Sequence, residues 1–136
     1  MTYLLDTNII IAAMKGVSSV IGKLETIPVS SLVLSPIVLG ELEVGAEKSL
    51  HPDKNRTRLA RLIENIPTAS LDAEVSRHYG RIRADMERKG TPIDANDLWI
   101  AAHALALGAV AVTDNVKEFS RVEGLAVENW VDRDSE

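Results

Sequence analysis

A chain of 136 residues, 46% hydrophobic and 26% charged, has the length and balance of one globular domain with a real core. A net charge of −5 is wrong for a generic nucleic-acid coat, the lack of cysteine rules out disulfides and thiolate metal sites, and no run approaches the roughly 18 apolar residues of a spanning helix. No basic leader precedes the first apolar run, so the chain reads as one cytoplasmic domain over 1–136.

In chain order, "TYLL" (2–5) is short and apolar and reads as a buried parallel strand. Thr7 and Asn8 then offer capping oxygens to a helix, "IIIAAMKG", which Gly16 closes. Ser18 or Ser19 caps a second helix that ends at Pro28. "SLVLS" (31–35) is the next strand, and Pro36 opens the helix "PIVLGELEVGAEKS" from its first turn. "HPDKN" reads as a turn, and 56–66 as a helix with Leu59, Leu62, Ile63 and Ile66 on one face. "ASL" (69–71) suggests a very short strand. Asp72 caps the longest helix, 73–89, which Gly90 terminates. "ANDLWIAAHALALG" (95–108) is an apolar helix, "AVAVT" (109–113) a clear strand, "DNVKEF" a loop or short helix, and "LAVENW" (125–130) an edge strand. Strands alternating with helices imply a parallel α/β sheet.

Acidic residues stand out against this pattern. A parallel sheet places functional groups at the C-terminal ends of its strands. Asp6 follows the first strand and Asp114 follows the strand at 109–113. Glu41 and Asp97 are embedded in helices that otherwise read as buried, and Asp94 precedes Asp97 by three residues. Each acid alone has a plain structural use. Asp6 and Asp114 suit helix caps, Asp94 and Asp97 suit a helix N-terminus, and Glu41 suits an arginine partner. Together they suit a divalent cation, which relieves carboxylate repulsion and favours oxygen ligands. His51, His78 and His103 are scattered, which disfavours a zinc site, and His103 reads as a packed core histidine. Glycine-rich nucleotide loops and a serine nucleophile elbow are missing from the sequence. Metal-assisted attack on phosphate is the chemistry left. Basic residues gather in 54–61 and 77–89; Arg56, Arg58, Arg81 and Arg83 are either solvated helix faces or phosphate contacts.

"LLDTNIII", "SPIVLGELEVGAEKS", "GTPIDANDLWIAAHALALG" and "VAVTDNVKEF" before "LAVENW", in that order, resemble the PIN-domain ribonucleases, and more narrowly the VapC-type toxins of bacterial toxin–antitoxin pairs. The resemblance implies a Rossmann-like three-layer α/β/α sandwich with a central parallel sheet. It also implies an endoribonuclease dependent on Mg²⁺ or Mn²⁺. It carries over Asp6, Glu41 and Asp97 as catalytic, metal-binding acids, with Thr7, Asn8 and Asp94 in support. At the fourth position Thr113, Asp114 and Asn115 are followed by Glu118 before Phe119. Asp114 fits as ligand by charge and Asn115 by register, and Glu118 supports either. The partners implied are a homodimer, a cognate VapB-type antitoxin that carries the complex to operator DNA, and an RNA substrate. "GAEKS" and "RKGTP" resemble the enteric toxins, which implies the initiator tRNA anticodon loop as target. Two rivals remain. A receiver-like signalling domain lacks its second acid and its lysine here, and a catalytically inactive PIN-like module would not require these acids.

Overall fold

The computed structural model describes residues Met1 to Asp132; the last four positions of the expected 1–136 domain lie outside the described residues. Four parallel strands form one sheet: β1 (Tyr3–Leu5), β2 (Leu32–Val33), β3 (Val110–Val112) and β4 (Val127–Glu128), in the order β2-β1-β3-β4. Among the described residues seven helices flank it: α1 (Thr7–Met14), α2 (Ser18–Thr26), α3 (Pro36–Glu47), α4 (Pro52–Ile63), α5 (Ala73–Lys89), α6 (Ala95–Leu107) and α7 (Val116–Phe119). The result is the expected α/β sandwich around a parallel sheet.

The register is tight at the centre. Tyr3, Leu4 and Leu5 pair with Val110, Ala111 and Val112, and the Asp6 N–H extends the ladder to the Val112 carbonyl at 2.9 Å. Leu4, Leu5, Ala111 and Val112 are essentially inaccessible, because helices cover both sides of a parallel sheet. The chain leaves β1 toward β2 on one side and reaches β3 on the other. The crevice between the C-terminal ends of β1 and β3 is therefore a topological switch point, where open α/β sheets place their ligands.

The ends of α3 and α5 show the capping chemistry most plainly. Ser35 Oγ accepts from Ile37 N and Pro36 fills the first turn of α3. Asp72 accepts from Val75 N to start α5, and Gly90, at φ 69°, ends it in the left-handed region that glycine enters without strain. α6 packs extensively on α5 and buries Ile100, Ala101, Ala102, His103 and Ala104. Phe119 is fully buried and pins the short α7, a contribution of roughly 2–3 kcal/mol.

Several local expectations are corrected. Residues 52–55 are the first turn of α4, not a turn before it, because Pro52 is tolerated at a first helical position. That helix ends at Ile63, so Ile66 lies beyond it. The segment 69–71 is no strand; one bridge between Leu34 and Thr68 is all the pairing there. Val17, not Ser18 or Ser19, occupies the cap of α2, and the Ser19 hydroxyl instead accepts from Asp132 N. β2 and β4 shrink to two residues each, because only Leu32 and Val33 pair with β1 and only Val127 and Glu128 pair with β3.

Candidate active site

Asp6 directly follows β1 and caps α1. Its backbone carbonyl accepts from Ile9 and Ile10, and its Oδ1 accepts from Thr7 N at 2.8 Å. The expectation that Thr7 and Asn8 would do the capping is corrected: both side chains are engaged elsewhere. The second oxygen, Oδ2, accepts from the Thr113 hydroxyl at 2.7 Å and from Asn8 Nδ2 at 3.3 Å. Asp6 is 5% exposed. Burial pushes its carboxyl above the usual range and the Glu41 charge adds to this, while bonds from Thr113, Thr7 N–H and Asn8 pull it back.

Thr7 points its hydroxyl away from the cap and donates to Glu41 Oε1 at 2.7 Å, across 34 residues of sequence. This bond ties the start of α1 to the middle of α3 and sets the Glu41 carboxylate beside that of Asp6. Glu41 also lines a groove of about 350 Å³ between α1, α3 and α4, whose walls include Ile11, Met14, Leu42 and Leu59.

Asp97 enters from the first turn of α6. Asp94, at the cap of that helix, accepts from Asn96 N at 3.1 Å. Asn115 Nδ2 bridges Asp97 Oδ2 at 3.3 Å and Glu118 Oε2 at 3.0 Å. The Asp97 carboxyl is pushed up to about 7. Burial is the largest cause, followed by the charge of Asp6, a hydrogen bond shared with Glu118, and the charges of Asp94 and Glu118. Among the described residues the ion pairs run through Arg56, Arg83, Arg88 and Lys89 on the outer helices, and none engages Asp6, Glu41, Asp97 or Glu118.

Asp114 behaves differently from the other acids. Its backbone N–H donates to Asn8 Oδ1 at 3.0 Å, while its carboxylate accepts from Asn129 Nδ2 at 3.0 Å, on the side of β4. Of the two residues expected at the fourth position, it is Asn115 that reaches Asp97. The basic residues lie further out. Arg56 pairs with Glu43, Glu47 and Asp53; Arg58 donates to the Met14 carbonyl on the groove wall; Arg81 bonds His78; Arg83 bonds Glu87 and Tyr79.

Two contributors have roles the sequence did not assign: Thr113, which entered there only as part of the fourth-position motif, and Asn129. Thr113 is fully buried, and its hydroxyl is a hub: it donates to Asp6, accepts from Asn115 N at 3.0 Å and lies 3.4 Å from Asn8 Nδ2. A buried polar residue directly after an apolar strand was the available signal. Asn129 carries no such signal.

Whether this donor set suits a divalent cation is decided by its chemistry. The facing groups are carboxylates with amide and hydroxyl neighbours, an all-oxygen set of the kind that Mg²⁺ and Mn²⁺ prefer. The upward shifts at Asp6 and Asp97 come first from burial, and neighbouring acid charges add to both, Glu41 at Asp6 and Asp6, Asp94 and Glu118 at Asp97. Among the described residues no three acidic or histidine side chains already close on a common point; Asn115 lies between Asp97 and Glu118.

A parallel sheet with acids gathered at its switch point defines a class, and comparison with known proteins identifies it. Residues 3–125 match the family model described as the PIN domain. The chain is 38% identical over 128 residues to the tRNA(fMet)-specific endonuclease VapC of Salmonella typhimurium, covering 94% of this chain and 97% of that protein. It is 39% identical over 132 residues to ribonuclease VapC2 of Rickettsia felis, covering 96% and 98%. The crystal structure of VapBC2 from Rickettsia felis, bound to a DNA fragment from their promoter, superposes with a TM-score of 0.90 at 38% identity, over 96% of this chain and 99% of that one. The chain belongs to the PIN-domain family, as a VapC-type RNA-cleaving toxin of the VapBC toxin–antitoxin systems.

Proposed function

We propose that this chain is a Mg²⁺- or Mn²⁺-dependent endoribonuclease that cleaves tRNA, the initiator tRNA anticodon loop foremost, and so inhibits translation in the cytoplasm. The observation that carries the metal dependence is the meeting of acids at the switch point: Asp6 feels the charge of Glu41, and Asp97, raised to about 7 first by burial, feels the charge of Asp6. Asp6, Glu41 and Asp97 would hold the cation, with Asn115 at the fourth position and Glu118 and Asp94 behind. A bound divalent cation supplies Lewis acidity and charge neutralisation at the scissile phosphate. The chain's own residues fix the geometry. Thr113 and Asn8 orient the Asp6 carboxylate, Thr7 orients Glu41, and Asn115 holds Asp97 against Glu118. The preference for initiator tRNA is supported by the name of the Salmonella relative.

A VapB-type antitoxin is the proposed partner, supported by the Rickettsia complex. The groove between α1, α3 and α4 offers an apolar wall to an antitoxin segment and leads to Glu41, where an arginine from that segment finds the acids. With a net charge of −5, this chain reaches operator DNA only through the antitoxin, as part of a toxin homodimer in a larger hetero-oligomer. No helix among the described residues is long and apolar enough to cross a membrane.

The test is cleavage of purified initiator and elongator tRNAs with Mg²⁺, with Mn²⁺ and with EDTA. The expected result is cation-dependent cutting of the initiator anticodon loop, lost in Asp6→Asn and Asp97→Asn. Cutting that survives both substitutions, or RNA binding without any cutting, overturns the reading; the second outcome returns the chain to the inactive binding module.

A further inference from the structure

We infer that Asn129 is a positioning residue for the reaction, acting through Asp114: together they form a side-chain strap that ties the segment after β4 to the acid-bearing loop after β3. The inference rests on the ribonuclease reading of the site.

The ladder between β3 and β4 is short. It pairs Ala111 with Val127 and Val112 with Glu128, and its last main-chain bond runs from Thr113 N to the Glu128 carbonyl at 2.9 Å. Beyond that point no main-chain hydrogen bond joins the two segments among the described residues. The Asn129–Asp114 bond, at 3.0 Å, continues the connection in side chains where the backbone has stopped. Asn129 is itself held on both sides. Behind it, Trp130 is 3% exposed, lies 5.5 Å from the Tyr3 ring and donates to Glu128. Ahead of it, Val131 N donates to Asn129 Oδ1 at 2.9 Å. An N–H can only donate and a carboxylate can only accept, so both ends of the Asn129 amide are assigned without ambiguity.

The strap points into the site. Asp114 N–H donates to Asn8 Oδ1, which turns Asn8 Nδ2 toward Asp6 Oδ2. The adjacent residue, Asn115, bridges Asp97 and Glu118. A loop free to shift here moves both sides of the acid cluster at once, and a displacement of about 1 Å in a catalytic constellation costs on the order of 10²-fold in rate. The bond is solvent-exposed, so it adds little to global stability; what it supplies is local order. In this account Asp114 serves as the anchor of the loop and not as a metal ligand.

Exchanging the two groups tests this directly. An amide and a carboxylate swapped across the bond, as in Asp114→Asn with Asn129→Asp, rebuild it with reversed polarity. Asn129→Asp alone keeps the Val131 bond but sets two carboxylates against each other. Single-turnover cleavage of tRNA with Mg²⁺ is expected to slow about tenfold in Asn129→Ala and about 30-fold in Asn129→Asp, with KM within about twofold of the parent. The double swap should recover to within about threefold, and Asp114→Asn alone, which keeps an acceptor oxygen, should stay near the parent. A readout independent of cleavage is amide hydrogen exchange in the cation-free protein. Asp114 and Asn115 amides should exchange about tenfold faster in Asn129→Ala and return to the parent rate in the swap, with amides of β1 unchanged. If Asp114→Asn and the swap are as inactive as Asp6→Asn, Asp114 is a ligand and the inference falls. Faster exchange throughout the sheet makes Asn129 merely structural and also overturns it. If the parent cleaves nothing, the ribonuclease reading fails on its own, and unchanged Asp114 exchange in Asn129→Ala would then separately defeat the strap.

Discussion

Two regions of this molecule use the same residue types to opposite ends. On the outer faces of α3, α4 and α5, acids meet cations: Arg56 pairs with Glu43, Glu47 and Asp53, Arg83 with Glu87, and Lys89 with Asp85 and Glu123. At the C-terminal ends of β1 and β3, acids meet acids, and hydroxyls and amides hold them in place. The outer pairs are well solvated and contribute little each. The inner acids are desolvated and uncompensated, so they oppose folding and are available for chemistry. Charge balance, more than acid count, separates a surface from a site.

The strongest way to break this contrast is to remove one inner charge. Asp6→Asn and Asp97→Asn are each expected to reduce single-turnover tRNA cleavage by at least about 10²-fold, as when a principal electrostatic group leaves an active site. The fold should survive, since Asn keeps the shape and the acceptor oxygen. Circular dichroism beside the cleavage assay checks both halves. A cleavage loss below tenfold in both variants would put these acids outside the reaction.

Thr113 offers a subtler break. Val replaces its hydroxyl at nearly equal volume but deletes the donor to Asp6 and the acceptor for Asn115 N. Leaving buried polar partners unmet costs about 2 kcal/mol, measurable as a lower denaturation midpoint. Retained stability would mean that water replaces the hydroxyl.

These residues also show how far the sequence could be read. Asp6, Glu41 and Asp97 stood out because each acid interrupts an apolar run, and burial of a charge needs a reason. α5 was legible to the residue, because Asp72 is a strong start signal and Gly90 a strong stop signal. Asp6 was one of three candidate caps for α1, beside Thr7 and Asn8, which are equally good capping types by composition; only the fold shows those two committed to other partners. Pro52, Asp53 and Asn55 favour turns and first helical turns alike, so the start of α4 was hidden. Asn129 lay in a segment read only as strand. Its role depends on β4 lying beside β3, a pairing across the sheet that no local pattern encodes.

Smaller in size is the response to pH. In the cation-free protein Asp97 holds its proton up to about 7, against an ordinary value of 3.8. A carboxyl raised by folding contributes stability that is fully present below its unfolded pKa and is lost as pH rises through the folded value. The cation-free parent should therefore weaken between about pH 4 and pH 7, and Asp6, shifted in the same direction, adds to the trend. Asp97→Asn removes the Asp97 part. Its partly exposed position limits the gain to about 1 kcal/mol at pH 8, vanishing near pH 3. Thermal melts across this range, with and without Mg²⁺, check the sign. Mg²⁺ should raise the parent's midpoint at pH 8 and leave Asp97→Asn nearly unmoved. A variant less stable than the parent at pH 8 would show that the acid cluster is already compensated.

The smallest effect belongs to the outer region. Arg56 is held by three carboxylates, and its side chain is 37% exposed. Arg56→Ala should shift stability by no more than about 0.5 kcal/mol, and added salt should erase even that. The same residue was a candidate phosphate contact, and the two roles make different predictions. If Arg56 grips tRNA, the substitution lowers the slope of log affinity against log salt by about 1 and leaves the bound-state cleavage rate intact. If its three acids occupy it fully, the slope does not change. A salt titration of tRNA binding by the Asp6→Asn protein, with and without Arg56→Ala, separates the two without interference from cutting. The geometry favours an unchanged slope, because a guanidinium already surrounded by Glu43, Glu47 and Asp53 presents a phosphate with more negative charge than positive.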